Sequence, residues 1–476
     1  MNTQATELWT AQEAASATQG EAVGDWIASG VSIDTRTLNP GDLFTALRGP
    51  NHDGHDHVKD ALEKGAAAAV VERKYADAPA GAGLLCVDDT EQALRDLAAQ
   101  ARKRTSAQIC GVTGSVGKTG TKELLAAALG AQGKVSATAG NLNNHFGLPL
   151  SLARMPSDSD YGVFEMGMNH AGEISPLSKL ARPHVAMIMN VEAVHIEYFD
   201  GIEGIADAKS EIFDGLVEGG TAVISRDTPF FNMLADRARA CGAAKVWGFG
   251  VHSLSNARFL AADPTPTGQH VQASIGSKHL KYHLNMRGRH WAINTLGVLA
   301  AVASLGADLD AAAQAFITVK PPKGRGRAHT IKSEDGLFTI IDETYNASPV
   351  AVRAAMNVLK SITPGRGGRR VVVLGDMLEL GDDAEKEHMS LVNDITAHDF
   401  DLVFACGQHM PGILAGLPDD MRGGSADNSD DLAGLVTKRV RSGDLVLIKG
   451  SFGSQMGKVI DRLKAMDISV TTDGEA

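Results

Sequence analysis

Short apolar runs punctuate the chain, each stopped by glycine, a carboxylate or another turn residue. In the middle of the sequence they occupy residues 108–112, 161–164, 185–189 and 222–224; further on they occupy 338–343, 371–376, 402–407 and 445–450. Short runs bounded this way read as buried strands. Alanine- and leucine-rich stretches stand between them: one from Lys122 to about Leu129, a long one ending near Leu305, and one opened by Pro349. Strands alternating with helices imply parallel, doubly wound sheets. The first hundred residues are patterned differently. Residues 31–36 alternate like a strand, 40–47 are a turn leading into another, and 66–71 and 83–87 add two more. Thr10, with Glu13 three residues on, marks a capped helix start.

Two stretches break the pattern. Residues 102–106 (Arg-Lys-Arg-Thr-Ser) read as a short charged connection. Residues 320–327 combine two prolines and two glycines with Lys320, Lys323, Arg325 and Arg327, a linker composition whose charge is placed to meet an anion. They divide the chain into 1–104, 105–320 and 321–476, within the two to four domains expected of 476 residues. The expected fold class is α/β throughout: a small N-terminal α/β domain, a central doubly wound domain of the phosphate-loop ATPase type, and a Rossmann-like C-terminal domain. The last has no phosphate loop of its own. Reached through a hinge, it forms one side of a cleft that closes over the nucleotide.

Composition narrows the partners. A net charge of −12 argues against nucleic acid and anionic membranes, while leaving room for a local basic pocket. Four scattered cysteines without a Cys-x-x-Cys pair fit a reducing compartment and give no zinc site. Residues 1–4 lack the basic region that opens a secretory signal. No apolar run approaches the ~20 residues of a membrane span. The expectation is a soluble cytoplasmic protein.

The chemistry concentrates at residues 112–121. Strand, glycine loop, helix is the context of a phosphate-binding loop: Thr113, Gly114, Ser115, Val116, Gly117, Lys118 and Thr119 form the turn. Glycines let several N–H groups point at one anion, and the helix N-terminus adds partial positive charge. Lys118 reaches outer phosphates, and the Thr119 hydroxyl suits Mg²⁺. The usual spacing wants a glycine where Val112 stands, so the loop is Gly-x-x-Gly-Lys-Thr, one turn tighter. In doubly wound sheets ligands sit beyond the strands' C-terminal ends, which draws attention to Glu165, Glu192 and His195. A carboxylate at Glu165 suits Mg²⁺; an imidazole is a less natural ligand, which puts His195 behind the ion's direct ligands. His52, His55 and His57 lie in a polar loop, residues 48–57. Zinc is one reading of that loop, but no cysteine supports it, and a polar recognition loop or plain surface fits better.

Taken together, these stretches resemble the Mur ligases, ATP-dependent amide-forming enzymes of peptidoglycan synthesis, over essentially the whole chain. The short loop at 113–119 looks like that family's ATP loop. Residues 140–149, 165–170, 288–290 with Asn294, 342–349 and 375–381 resemble the branch that adds D-alanyl-D-alanine to UDP-MurNAc-tripeptide. The Asp-Asn-Pro-Arg signature of the branch adding the third peptide residue is missing from the C-terminal region. The resemblance implies ATP and Mg²⁺, with Lys118, Thr119 and Asn143 at the phosphates, and Thr119, Glu165 and His195 on the metal. It also implies a carbamate on Lys209, which alone would read as a solvated helix residue. His290 and Asn294 would lie near adenine, and Arg327, Asp342 and Tyr345 would meet the nucleotide after closure. Ser32, Arg48, Gly49, Asp53, His55 and Asn144, with the loop from Asn51 to His57, would hold the UDP-linked substrate. A monomer is expected. Rival expectations are another Mur step or a folate-glutamylating ligase and, from a different class, an ATP-driven switch that makes no bond.

Overall fold

Alternation within the short apolar runs decides which side of the central sheet each residue serves. Cys110, Val112, Val163 and Met187 pack into one core; Ile109, Phe164, Ala186 and Ile188 pack into the other. The computed structural model describes residues 7–49, 51–75, 77 and 79–469. Its central sheet has nine strands, in the order Lys278–Leu284, Gln269–Ile275, Ala257–Pro264, Lys245–Gly250, Thr221–Ser225, Val185–Ile188, Gln108–Thr113, Tyr161–Glu165 and Val135–Ala137. Every pairing from Val135–Ala137 to Ala257–Pro264 is parallel, and the last two strands are antiparallel.

The antiparallel extension is missing from the reading of apolar runs, because its strands bury only alternate residues. Gln269, Val271, Ala273 and Ile275 are buried on one strand, and Leu280, Tyr282 and Leu284 on the next. That two-residue period was visible in the sequence. The buried face packs with the long helix Arg289–Ser304.

The C-terminal sheet has six strands, ordered Arg327–Ser333, Gly336–Glu343, Leu445–Lys449, Arg370–Gly375, Leu402–Cys406 and Arg422–Ala426, parallel after the first hairpin. The N-terminal sheet orders Glu21–Val23, Leu84–Val87, Ala68–Glu72, Asp42–Thr45 and Gly30–Ser32, with only the first antiparallel to its neighbour. The α/β architecture is therefore as expected. No helix among the described residues is long and apolar enough to cross a membrane.

Local differences have local causes. Strand Gly30–Ser32 ends before Asp34, whose carboxylate accepts from the Arg36 backbone N–H at 2.9 Å and folds residues 33–36 into a turn. Thr10 caps helix Ala11–Thr18 by accepting from Glu13 N at 3.2 Å. The Glu13 carboxylate is bonded to Arg104 at 2.7 Å, and Arg104 lies 4.0 Å above the Trp9 ring. Arg102, Lys103 and Arg104 are the last turn of helix Thr90–Arg104, not a loose connection. Cations there suit the negative end of the helix dipole. The phosphate-loop helix, Lys118–Gly130, starts four residues before its apolar pattern does, because its first turn is Lys-Thr-Gly-Thr.

That helix and Arg289–Ser304 meet at Gly120, where an added Cβ would stand 2.4 Å from the Trp291 ring. Gly120→Ala is expected to cost roughly 1–3 kcal/mol through overpacking. Gly434, in helix Ser429–Thr437, has nothing within 4 Å of its added Cβ. Gly434→Ala should stabilise by about 0.5–1 kcal/mol. Melting temperatures of both variants check the pair, and equal shifts would contradict it.

Candidate active site

Strand Gln108–Thr113 sits between Tyr161–Glu165 and Val185–Ile188. The chain leaves its C-terminal end towards one side and later returns on the other, opening a crevice there. The turn 114–117 crosses that crevice. Gly117 has φ +84°, and an added Cβ would lie 3.1 Å from Asn294 Nδ2, so a side chain there is both strained and crowded. The turn is pinned from the adjacent strand's exit. Val116 N donates to Asn190 Oδ1 at 2.9 Å, and Asn190 Nδ2 donates to Val116 O at 3.0 Å. Ser115 Oγ donates to Glu192 O and accepts from Glu192 N, both at 2.9 Å. Lys118 Nζ folds back onto Gly114 O at 2.7 Å. Burial pulls its ammonium below the ordinary range; Glu165 opposes the shift and Arg325 adds to it.

Glu165 closes its strand almost completely buried, at 1% exposure. Its Oε1 accepts from Asn143 Nδ2 at 2.7 Å, while Oε2 has no hydrogen-bond partner. The buried Thr119 hydroxyl is likewise unpartnered. Unsatisfied buried oxygens call for a reason, and a carboxylate oxygen with a hydroxyl at a helix start is the donor chemistry of a hard cation. The residues present therefore fit Mg²⁺. Among the described residues no three His, Cys, Asp or Glu side chains form a ready-made metal cluster. His195 is left-handed, φ +60°, and its Nδ1 lies 2.5 Å from Glu379 Oε2 of the C-terminal lobe. Burial lowers its pKa and Glu379 opposes this. Lys209, far from being solvated, is 3% exposed on helix Ile202–Ser210. Burial, and then the charge of Lys118, pull its ammonium well below the ordinary range.

These elements and the C-terminal lobe enclose a cavity of about 360 Å³. Lys118, Asn143, Glu165, His195, His290 and Asn294 line the central side. Arg325, Glu343, Tyr345 and Lys449 line the other. The Arg325 guanidinium lies 4.1 Å over the Tyr345 ring. Lys449 Nζ donates to Asn346 O at 2.9 Å and Glu343 Oε2 at 3.4 Å. Burial raises the Glu343 pKa and lowers that of Lys449.

Of the three C-terminal residues expected at the nucleotide, Tyr345 lines the cavity and the other two do not. Arg327 is exposed, with Nε on Pro321 O at 3.3 Å. Asp342 is buried behind the wall, accepting from Gly324 N at 3.2 Å and Thr344 Oγ1 at 2.7 Å. Residue-level reading passed over Glu343, Lys449, Asn190 and Glu379, and did not separate Arg325 from its linker neighbours. Glu343 and Lys449 end apolar runs, so the strand-end rule applied to the third region would have found them.

The residues expected at the UDP-linked substrate lie away from this cavity's lining. Ser32 Oγ donates to Asp34 O at 3.1 Å. Arg48 pairs with Asp53 at 3.0 Å and with Glu72 at 3.3 Å, and Gly49 N donates to His52 O at 2.8 Å. His55 uses both ring nitrogens inside the protein: Nδ1 on Asp53 at 2.7 Å, and Nε2 accepting from Glu72 N at 3.1 Å. That leaves His55 no lone pair for zinc. Asn144 Oδ1 accepts from Gly147 N at 2.9 Å at the start of helix Gly147–Ala153. Pro50, in the same polar loop, is outside the described residues.

His290 gives the site a pH signature. Burial first, and then the charge of Lys449, pull its pKa down to about 4. An unfolded histidine titrates near ~6.5. The unfolded chain thus takes up this proton first, and stability fully present above about pH 6.5 is lost as pH falls towards 4. Thermal unfolding should reveal a loss on the order of 3 kcal/mol across that window, and His290→Asn should flatten it. An unchanged profile in the variant would contradict this.

Comparison with known proteins matches three family models: "Mur ligase family, catalytic domain" over residues 28–102, "Mur ligase middle domain" over 112–302 and "Mur ligase, glutamate ligase domain" over 326–452. The UDP-N-acetylmuramoyl-tripeptide–D-alanyl-D-alanine ligase of Rickettsia prowazekii is 33% identical over 90% of this chain and 94% of its own. That of Bacillus subtilis is 35% identical over 92% and 93%. The crystal structure of MurF from Acinetobacter baumannii superposes with a TM-score of 0.82 at 30% identity, covering 96% of this chain and 99% of its own. MurF ligase from Thermotoga maritima in complex with ADP gives 0.75 at 26% identity, covering 92% and 97%. Likeness of this extent, spanning the three large sheets, makes the chain a member of the Mur ligase family.

Proposed function

We propose that this chain joins D-alanyl-D-alanine to the terminal carboxylate of a UDP-MurNAc-tripeptide, using ATP, in the synthesis of peptidoglycan precursor. The observation that carries the reading is the pairing of Lys118 with two unpartnered buried oxygens, Glu165 Oε2 and Thr119 Oγ1, around one cavity walled by a second lobe. The ligases named above, similar over nine-tenths of the chain, supply the bond to be made.

Amide formation from a carboxylate in water is uphill, so the carboxylate must be activated. A carboxylate oxygen attacks the γ-phosphorus of ATP, the bond to the β-phosphate oxygen breaks, and an acyl phosphate and ADP result. The free amine of D-alanyl-D-alanine then attacks the acyl carbon, loses a proton, and inorganic phosphate leaves. Backbone N–H groups of residues 117–119 at the helix start and the Lys118 ammonium hold the phosphates, and Asn143 orients Glu165. Thr119 and Glu165, with His195, would hold Mg²⁺, which when bound offsets charge on the triphosphate. His290 and Asn294 take the adenine end. Tyr345 and Arg325 close over the nucleotide; Asp342 shapes the wall they stand on, and Arg327 joins only if closure brings it nearer. Burial leaves Lys209 as a neutral amine more readily than a surface lysine, the form that takes up CO₂ to become the carbamate that the family resemblance implies. Residues 1–104 hold the UDP end through Ser32, Arg48, Gly49, Asp53 and His55, joined by Asn144 from the central region; 105–320 hold ATP; 321–476 close and present the amine. Closure keeps water from the acyl phosphate. The enzyme works as a monomer in the cytoplasm, where ATP is supplied.

A coupled assay tests this. ADP release should require both UDP-MurNAc-tripeptide and D-alanyl-D-alanine; steady hydrolysis without the amine would instead indicate a switch. Lys118→Ala and Glu165→Ala should each lower turnover by roughly 10²–10³-fold or more with unchanged melting. Near-normal turnover in either removes that residue's role.

A further inference from the structure

Lys122 stands one helical turn beyond Lys118, yet it does not line the cavity and is only 1% exposed. Its ammonium meets three acceptors: Thr138 O at 2.7 Å, Gly140 O at 3.3 Å and Glu123 Oε1 at 2.6 Å. Two carbonyl hydrogen bonds and one carboxylate ion pair satisfy the group. Burying a charge is nonetheless costly, and a methionine would fill a similar volume without that cost. What the charge holds explains its place. The segment it grips carries both contacts that fix Glu165: Thr138 Oγ1 accepts from Glu165 N at 3.1 Å, and Asn143 Nδ2 donates to Glu165 Oε1 at 2.7 Å. The Asn143 carbonyl in turn accepts from Gly167 N at 2.9 Å, just past the strand end.

We infer that Lys122 is a positioning residue that ties the helix bearing Thr119 to the segment orienting Glu165, so that the hydroxyl and the free carboxylate oxygen keep one spacing for a divalent cation. This rests on the reading that Thr119 and Glu165 hold the metal. Outer groups that orient metal ligands typically tune affinity 10–100-fold, and groups acting through one another are not additive.

The test uses Mn²⁺ as probe, titrated into the full-length protein with ADP and followed by electron paramagnetic resonance. Lys122→Met and Asn143→Ala should each weaken Mn²⁺ binding about tenfold or more, and the double variant should be no weaker than the worse single one. In turnover, Lys122→Met should raise the Mg²⁺ needed for half-maximal rate while leaving KM for D-alanyl-D-alanine within about twofold. Multiplying effects, or Mn²⁺ affinity unmoved in Lys122→Met, would overturn the inference while leaving the metal reading intact. If the wild type binds no Mn²⁺ with ADP, the metal reading fails and takes this inference with it. Should Lys122→Met not melt cooperatively, Lys122→Gln, which keeps a donor of shorter reach, is judged by the same criteria.

Discussion

The site depends on one electrostatic constraint: three cationic side chains, Lys118, Arg325 and Lys449, line a single cavity with two carboxylates, Glu165 and Glu343. Lys118, Lys209 and Lys449 are all held below the ordinary lysine range by burial, and Arg325 faces the same cavity. Glu343 engages Lys449, while Glu165 keeps one oxygen unused. A protein tolerates such an arrangement where a ligand completes it. In the proposed function a triphosphate would supply the missing negative charge, and a divalent cation would take up the unused oxygens.

Backbone geometry makes that crowding possible. Gly117 accepts a left-handed turn against Asn294, and Gly120 lets Trp291 lie on the phosphate-loop helix. The long helix Arg289–Ser304 thereby fixes the loop from behind while its first residues line the cavity. The far wall belongs to another sheet, and the two halves meet where His195 touches Glu379. A cavity built from two lobes around an unpaired charge would give closure a driving force in the proposed function, since a ligand there would contact both sides.

Much of this was legible in the sequence because it depends on short-range pattern. Each wholly apolar run became a strand, and the glycine-lysine-threonine turn stands where strand, loop and helix require it. The antiparallel strands at 269–284 were overlooked because alternate polar residues break their apolar runs. The side chains escaping notice are those whose meaning is set by a distant partner: Lys449 by Glu343, Glu379 by His195, Lys122 by the carbonyls of Thr138 and Gly140. Lys209 reads as a surface residue until the fold buries it. Arg325 and Arg327 differ by two positions in one basic linker, but Arg325 sits between the left-handed Gly324 and Gly326, φ +74° and +94°, and lines the cavity, whereas Arg327 opens the strand Arg327–Ser333.

The most direct measurement is a crystal structure of the full chain with Mg²⁺ and a non-hydrolysable ATP analogue. The account predicts the β- and γ-phosphates within hydrogen-bonding distance of Lys118 and the backbone N–H groups of residues 117–119, with the metal on Thr119 and Glu165. A triphosphate bound elsewhere, with Lys118 still folded onto the Gly114 carbonyl, would contradict it.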